Sequence, residues 1–158
     1  MNKYLYYMTG IAILGYIYFN RNPNRQIPFG DNITAPCDGT IISIKNNKIE
    51  FFLGLGDVHY QRAPQSGIVA DIVDINEDYS SIELDTRFGP VTIERWAGQI
   101  ARTVVTYVKV GDRIDKGDLI GRILLGSHCS ITIPPDLMIK VDVGQHVLAG
   151  ETVIAEWQ

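Results

Sequence analysis

The 158-residue chain predicts a mainly β domain behind one N-terminal hydrophobic helix. Three observations carry that reading. Short apolar runs of strand length recur from Ala35 onward, with turn-forming residues between them. Ahead of them lies one uncharged stretch, Tyr4 to Phe19, sixteen residues long. Two later stretches share a glycine-spaced frame, V-x-V-G-x-x-[IV]-x-x-G-x-x-[IV].

As a helix, Tyr4 to Phe19 spans roughly 24 Å at about 1.5 Å per residue. That is short of the roughly 30 Å hydrocarbon core of a bilayer, so the segment is marginal as a span. Its five tyrosines gather near its ends, as in interfacial belts. No small-x-small cleavage site precedes Asn20, and Arg21 and Arg25 follow the segment, which is wrong for a signal peptide. Residues 1–22 are therefore expected to be a retained membrane anchor, with a buried core helix as the rival reading. The arginines place the main domain on the cytoplasmic side. Residues 23–34, with Pro23, Pro28 and Gly30, read as a linker to a domain over 35–158.

Within the domain the expected strands are Thr40 to Ile44, Lys48 to Phe52, Gly67 to Val73, Ser81 to Thr86, Val91 to Arg95, Val104 to Val108, Leu119 to Leu125, His128 to Ile133 and Met138 to Val141. Turns fall at Asn46-Asn47, Asn76 to Asp78, Gly111-Asp112, Lys116-Gly117 and Pro134-Pro135. One brief helix is expected over Ala97 to Arg102. Basic and acidic residues number 14 and 18, with no basic run, which argues against a nucleic-acid partner. Cys37 and Cys129 lack metal-ligand spacing and read as free thiols, so no metal site is expected.

Two internal repeats sharpen the fold. Ala35 to Ile41 is similar to Ala63 to Val69, and the frame over Val108 to Ile120 returns over Val141 to Val153. Its glycines suit positions of positive φ. This doubled frame resembles the barrel-sandwich hybrid of biotinyl- and lipoyl-carrier domains. A carrier module, however, needs a lysine at a hairpin tip. The hairpin here presents Pro134-Pro135-Asp136, with Lys140 on the following strand.

Three places hold residues with chemistry. Pro36-Cys37-Asp38-Gly39-Thr40 contains an Asp-Gly pair, alone no more than a hairpin turn. In Gly56-Asp57-Val58-His59-Tyr60-Gln61-Arg62-Ala63-Pro64, an extended backbone would put Asp57 and His59 on one face. Leu124-Leu125-Gly126-Ser127-His128-Cys129 is an apolar strand interrupted by Gly-Ser, alone a bend or bulge.

Taken together, DVHxxRAP, a later LGS between apolar strands and an upstream PxDG resemble the phosphatidylserine decarboxylase family. The closest match is to its short forms, which include archaetidylserine decarboxylases. The likeness runs from about Ala35 to Glu156 and takes in Ala97 to Arg102 and the Gly144 to Val153 tail.

The resemblance implies a self-processing enzyme with a pyruvoyl cofactor. Ser127 attacks the Gly126 carbonyl, the resulting ester is eliminated, and position 127 becomes a pyruvoyl group. The products are fragments 1–126 and 127–158, which stay associated. The group then serves as electron sink in decarboxylating a serine phospholipid to its ethanolamine counterpart. His59 matches the family histidine linked to decarboxylation, and Asp38 the aspartate that orients the base during self-cleavage. Longer relatives carry a second histidine where this chain has Arg62, so the base for cutting stays open between His59, His128 and another group. His128 either assists or faces away from Ser127 on the strand. Arg62 and Arg102 are candidates to hold the substrate's phosphate or carboxylate, or else form structural ion pairs. His146 is expected to be solvent-exposed. The partners implied are the lipid substrate and the membrane, with a homo-oligomer left open. The alternative is a catalytically inactive barrel-sandwich module that binds lipid or acts as a carrier.

Overall fold

The computed structural model describes residues 3–98, 103–124 and 127–157. One helix, α1 (Lys3–Phe19), precedes fourteen strands among these residues. Every strand pairing is antiparallel. In chain order the strands are β1 (Asn32–Thr34), β2 (Gly39–Lys45), β3 (Lys48–Leu53), β4 (Tyr60–Arg62), β5 (Gly67–Ile75), β6 (Tyr79–Thr86), β7 (Gly89–Trp96), β8 (Thr103–Thr106), β9 (Arg113–Ile114), β10 (Leu119–Leu124), β11 (Ser127–Thr132), β12 (Leu137–Ile139), β13 (His146–Val147) and β14 (Val153–Trp157).

The largest sheet runs β13-β2-β3-β11-β7-β6-β5-β9. Two three-stranded sheets, β4-β10-β8 and β1-β14-β12, complete the domain. Period-two alternation turns Ile49, Phe51 and Leu53 of β3, Ile82 and Leu84 of β6, Val91 and Ile93 of β7, and Cys129 and Ile131 of β11 into one core. Cys37 and Cys129 are both free thiols buried there. Asn46 and Asn47 join β2 to β3 with φ of 49° and 61°, the left-handed pair that a two-residue hairpin needs.

All nine expected strands form, with small shifts at their ends. The brief helix over 97–102 does not begin: Ala97 and Gly98 are irregular, and 99–102 lie outside the described residues. Three residues assigned to the linker, Asn32 to Thr34, form β1 against β14.

The doubled frame is real in space. Gly111, Gly117, Gly144 and Gly150 all adopt positive φ, between 75° and 92°. Each frame contributes a two-residue strand with the same pairing. His146 and Val147 oppose Thr40 and Gly39. Arg113 and Ile114 oppose Ile68 and Gly67. The bonds swap between halves as well: Thr34 N–H donates to Pro64 O at 3.0 Å, and Arg62 N–H to Pro36 O at 2.9 Å. The two halves are thus interlocked about a pseudo-twofold axis. Ile27 packs against both Gly117 and Gly150, one glycine from each frame.

Candidate active site

The chain crosses from the β4-β10-β8 sheet to the large sheet between Leu124 and Ser127. Ser127 opens β11, and its backbone pairs with Leu53 of β3. Gly126 lies outside the described residues, as does Arg102. His59 stands beside this crossing, because Ile123 N–H donates to the His59 carbonyl at 3.0 Å.

Local geometry fixes the His59 ring. Its Nδ1 lies 2.9 Å from the carbonyl of Asp57. A carbonyl only accepts, so Nδ1 carries the proton and Nε2 carries the lone pair. Nε2 is buried, with no hydrogen-bond partner among the described residues. Burial is the main cause that lowers the His59 pKa from its ordinary value, outweighing the opposing pull of the bond to Asp57. A neutral imidazole with a free, desolvated lone pair is what a general base requires.

Asp57 is held by the turn it belongs to. Its Oδ2 accepts from Gly54 N–H at 2.7 Å, and its Oδ1 lies 2.8 Å from His146 Nε2. Half of the His146 side chain is exposed, but it is tied to the turn that positions the base. Sequence reading placed Asp57 and His59 together and missed this third member, which approaches from 89 residues away.

Asp38 enters one residue before β2. Gly39 follows at φ 150°, and a Cβ there would lie 2.5 Å from the Phe52 carbonyl oxygen, so the strand starts tight against β3. Ser127 lies on the far side of β3, which puts its backbone about 10 Å from that of Gly39 at two strand spacings. The Asp38 carboxylate accepts from Arg25 and from Ala149 N–H at 2.8 Å. Its described hydrogen bonds go to these two groups, while its charge still reaches His59.

Arg62 donates to Gly117 O at 2.8 Å and to Asn22 Oδ1 at 2.7 Å. Burial lowers its pKa first, with the Arg25 charge adding to that. His128 faces outward, its ring edge-on to Trp96 at 5.1 Å and 3.9 Å from Glu50. The last residue of the helix and the residues after it, none of them expected from the sequence to be site residues, cover the site. Phe19 lies over His59 with ring centroids 4.4 Å apart. Arg21 donates to Gly56 O at 2.6 Å.

Comparison with known proteins decides what kind of site this is. The family model described as phosphatidylserine decarboxylase matches residues 14–85 and 79–155. The chain belongs to the phosphatidylserine decarboxylase family. A candidate archaetidylserine decarboxylase proenzyme of Methanosarcina mazei is 37% identical over 153 residues, covering 88% of this chain and 74% of that one. A phosphatidylserine decarboxylase proenzyme of Geobacter sulfurreducens is 33% identical over 163 residues, covering 87% and 75%. As a member, this chain is a decarboxylase, a carboxy-lyase. The decarboxylase therefore presents a buried neutral histidine beside the strand crossing, a turn carboxylate behind it and a second carboxylate two strands from Ser127.

Proposed function

We propose that the decarboxylase is a self-processing precursor that cuts between Gly126 and Ser127, and that it then acts on a serine phospholipid, phosphatidylserine or archaetidylserine. The products are the ethanolamine phospholipid and carbon dioxide. The unpartnered Nε2 of His59 at the strand crossing carries this reading.

Cutting is chemistry of the chain itself. A base takes the Ser127 hydroxyl proton, and the oxygen attacks the Gly126 carbonyl. The amide C–N bond breaks as the ester C–O bond forms. Loss of the Cα proton then expels the Gly126 carboxylate and leaves dehydroalanine at position 127. Water converts this to a pyruvoyl group and releases ammonia. His59 serves as the proton acceptor, held in the right tautomer by the Asp57 carbonyl.

The chemistry of His59 suits such a group: its Nε2 is buried, has no partner among the described residues and is free to exchange a proton. When formed, the pyruvoyl group supplies an electrophilic ketone that accepts the electron pair released with carbon dioxide. His59 delivers a proton to the substrate carbon. In this proposal Arg62 and Arg102 hold the substrate's phosphate or carboxylate, for which a guanidinium is suited. Both fragments stay together because β11 is paired along both edges, to β3 and β7 of the larger fragment.

In this reading the interlocked halves are a barrel-sandwich hybrid. The helix α1 associates the enzyme with its lipid surface, on the cytoplasmic face. Tyr6, Ile11, Leu14 and Ile17 are all at least 60% exposed, an apolar surface that a bilayer would cover. Among the described residues no helix is long and apolar enough to cross a membrane.

Intact masses of the denatured protein test the proposal. Two fragments, 1–126 and 127–158 with a ketone in place of the Ser127 amine, are expected, together with carbon dioxide release from serine phospholipid vesicles. A chain that stays whole with Ser127 intact would refute it.

A further inference from the structure

We infer that Arg25 is a positioning residue of this site, which pairs with the buried Asp38 carboxylate and fixes it in place at the entry to β2. The inference rests on the self-processing reading above and deepens it.

The duplicated fold supplies an internal control. Asp38 and Ser66 occupy equivalent positions in the two halves, each one residue before the glycine that pairs with the short frame strand. Ala149 and Lys116 are equivalent as well. In one half Ala149 N–H donates to Asp38 Oδ1 at 2.8 Å. In the other Lys116 N–H donates to Ser66 Oγ at 2.9 Å. The fold therefore needs an acceptor at this point, and a neutral hydroxyl is enough. Asp38 adds a full charge that the architecture does not require.

That charge is buried, which is unfavourable unless it is paired. Arg25 pairs it with Nη2 set 2.9 and 2.8 Å from the two carboxylate oxygens. Only 5% and 4% of the two side chains are exposed. Buried ion pairs are poor stabilisers, and an apolar substitute is often as good. An ion pair at this point, where the chain enters β2 two strand spacings from Ser127, points to reactivity rather than to architecture. His59 becomes cationic when it takes a proton, and a fixed carboxylate in electrostatic reach stabilises that state.

Arg25 also arrives on a fixed segment. Phe19 lies on the His59 ring, Asn22 accepts from Arg62, Gln26 N–H donates to Glu151 at 3.0 Å, and Ile27 fills the space above Gly117. The guanidinium is thus aimed by contacts on both sides of it in sequence.

The test is the rate at which the purified full-length chain cuts itself, followed by mass. Arg25→Ala is expected to slow cutting about 10–100-fold, a share of what a positioned base contributes. Arg25→Lys is expected to restore most of the rate. Asp38→Ser copies Ser66 and keeps the bond to Ala149; because it strands the buried Arg25 charge, its fold is checked by circular dichroism, and the folded variant is expected to cut slowly. Adding Arg25→Ala to Asp38→Ser is expected to change nothing further, the non-additivity of groups acting through one another. Should Arg25→Ala alone fail to fold, this double variant, which buries no lone charge, is compared with Asp38→Ser instead. Wild-type cutting in Arg25→Ala, or an additional slowing in the Asp38→Ser background, would overturn the inference. A wild-type chain that never cuts removes the self-processing reading and this inference together.

Discussion

The ring of Phe19, the last residue of α1, lies 4.4 Å from the imidazole of His59. The end of the hydrophobic helix and the proposed proton-transfer group are in contact. Phe19 adds to the apolar cover that leaves the His59 Nε2 without a partner among the described residues.

A pH profile of self-cutting follows from that burial. In the proposed role His59 acts as the neutral base, and burial lowers its pKa below the ordinary 6.5. The rate is therefore expected to be flat above about pH 6.5 and to fall only as the pH drops through the lowered pKa. An acid limb centred at or above 6.5 would argue against His59 as the base.

Phe19→Ala is expected to move the limb. Removing the ring lets water reach the imidazole, which favours its charged form, so the midpoint rises toward 6.5. Phe19→Leu retains an apolar cover and should leave the midpoint low. The same pH series on the two variants reads the difference.

Arg95 offers a prediction about stability alone. It is fully buried in β7, and its described bonds go to Ser80, Thr106 and the Val105 carbonyl. Burial lowers its pKa to about 10. Arg95→Ala leaves a cavity and strips three hydrogen bonds, with only the mutual Ser80–Thr106 bond remaining, and is expected to cost about 2–4 kcal/mol. Arg95→Met fills the space without a charge and should cost much less. Urea denaturation of the two variants decides between these outcomes.

His146→Ala is expected to leave cutting within about threefold of wild type, because a hydrogen bond from a half-exposed side chain contributes little. Asp57 keeps its bond to Gly54 N–H in that variant, so the turn below His59 survives. A loss as large as that of His59→Ala would instead make His146 a second base.

The exposed face of α1 predicts a separable effect. Changing Ile11 and Leu14 together to Glu is expected to abolish co-sedimentation with phospholipid vesicles. Self-cutting, which needs no lipid, should stay within about twofold. Retained sedimentation would show that another surface holds the membrane.

Much of this was legible in the chain. Strands such as β6 and β7 announce themselves by alternation between Ile, Leu or Val and polar residues. The four frame glycines announce positive φ by their spacing, and all four adopt it. The short strands β9 and β13 were invisible, since two residues hold no period. The Asp57–His146 pair was hidden because it joins segments far apart in sequence. Arg25 was misread for another reason. A polar stretch between Pro23 and Pro28 looks solvated, yet proline also restricts its neighbours, and a restricted segment can be laid along a surface. That was the available signal.

The contact between Phe19 and His59 also sets a working height. In the proposed membrane seat of α1, the His59 imidazole sits one ring away from the helix end, at a level governed by how deeply the helix lies. The substrate headgroup then meets the base without its acyl chains leaving the bilayer. Turnover in that arrangement follows the mole fraction of serine lipid in the leaflet rather than its bulk concentration, and it responds to lipid packing through the depth of α1.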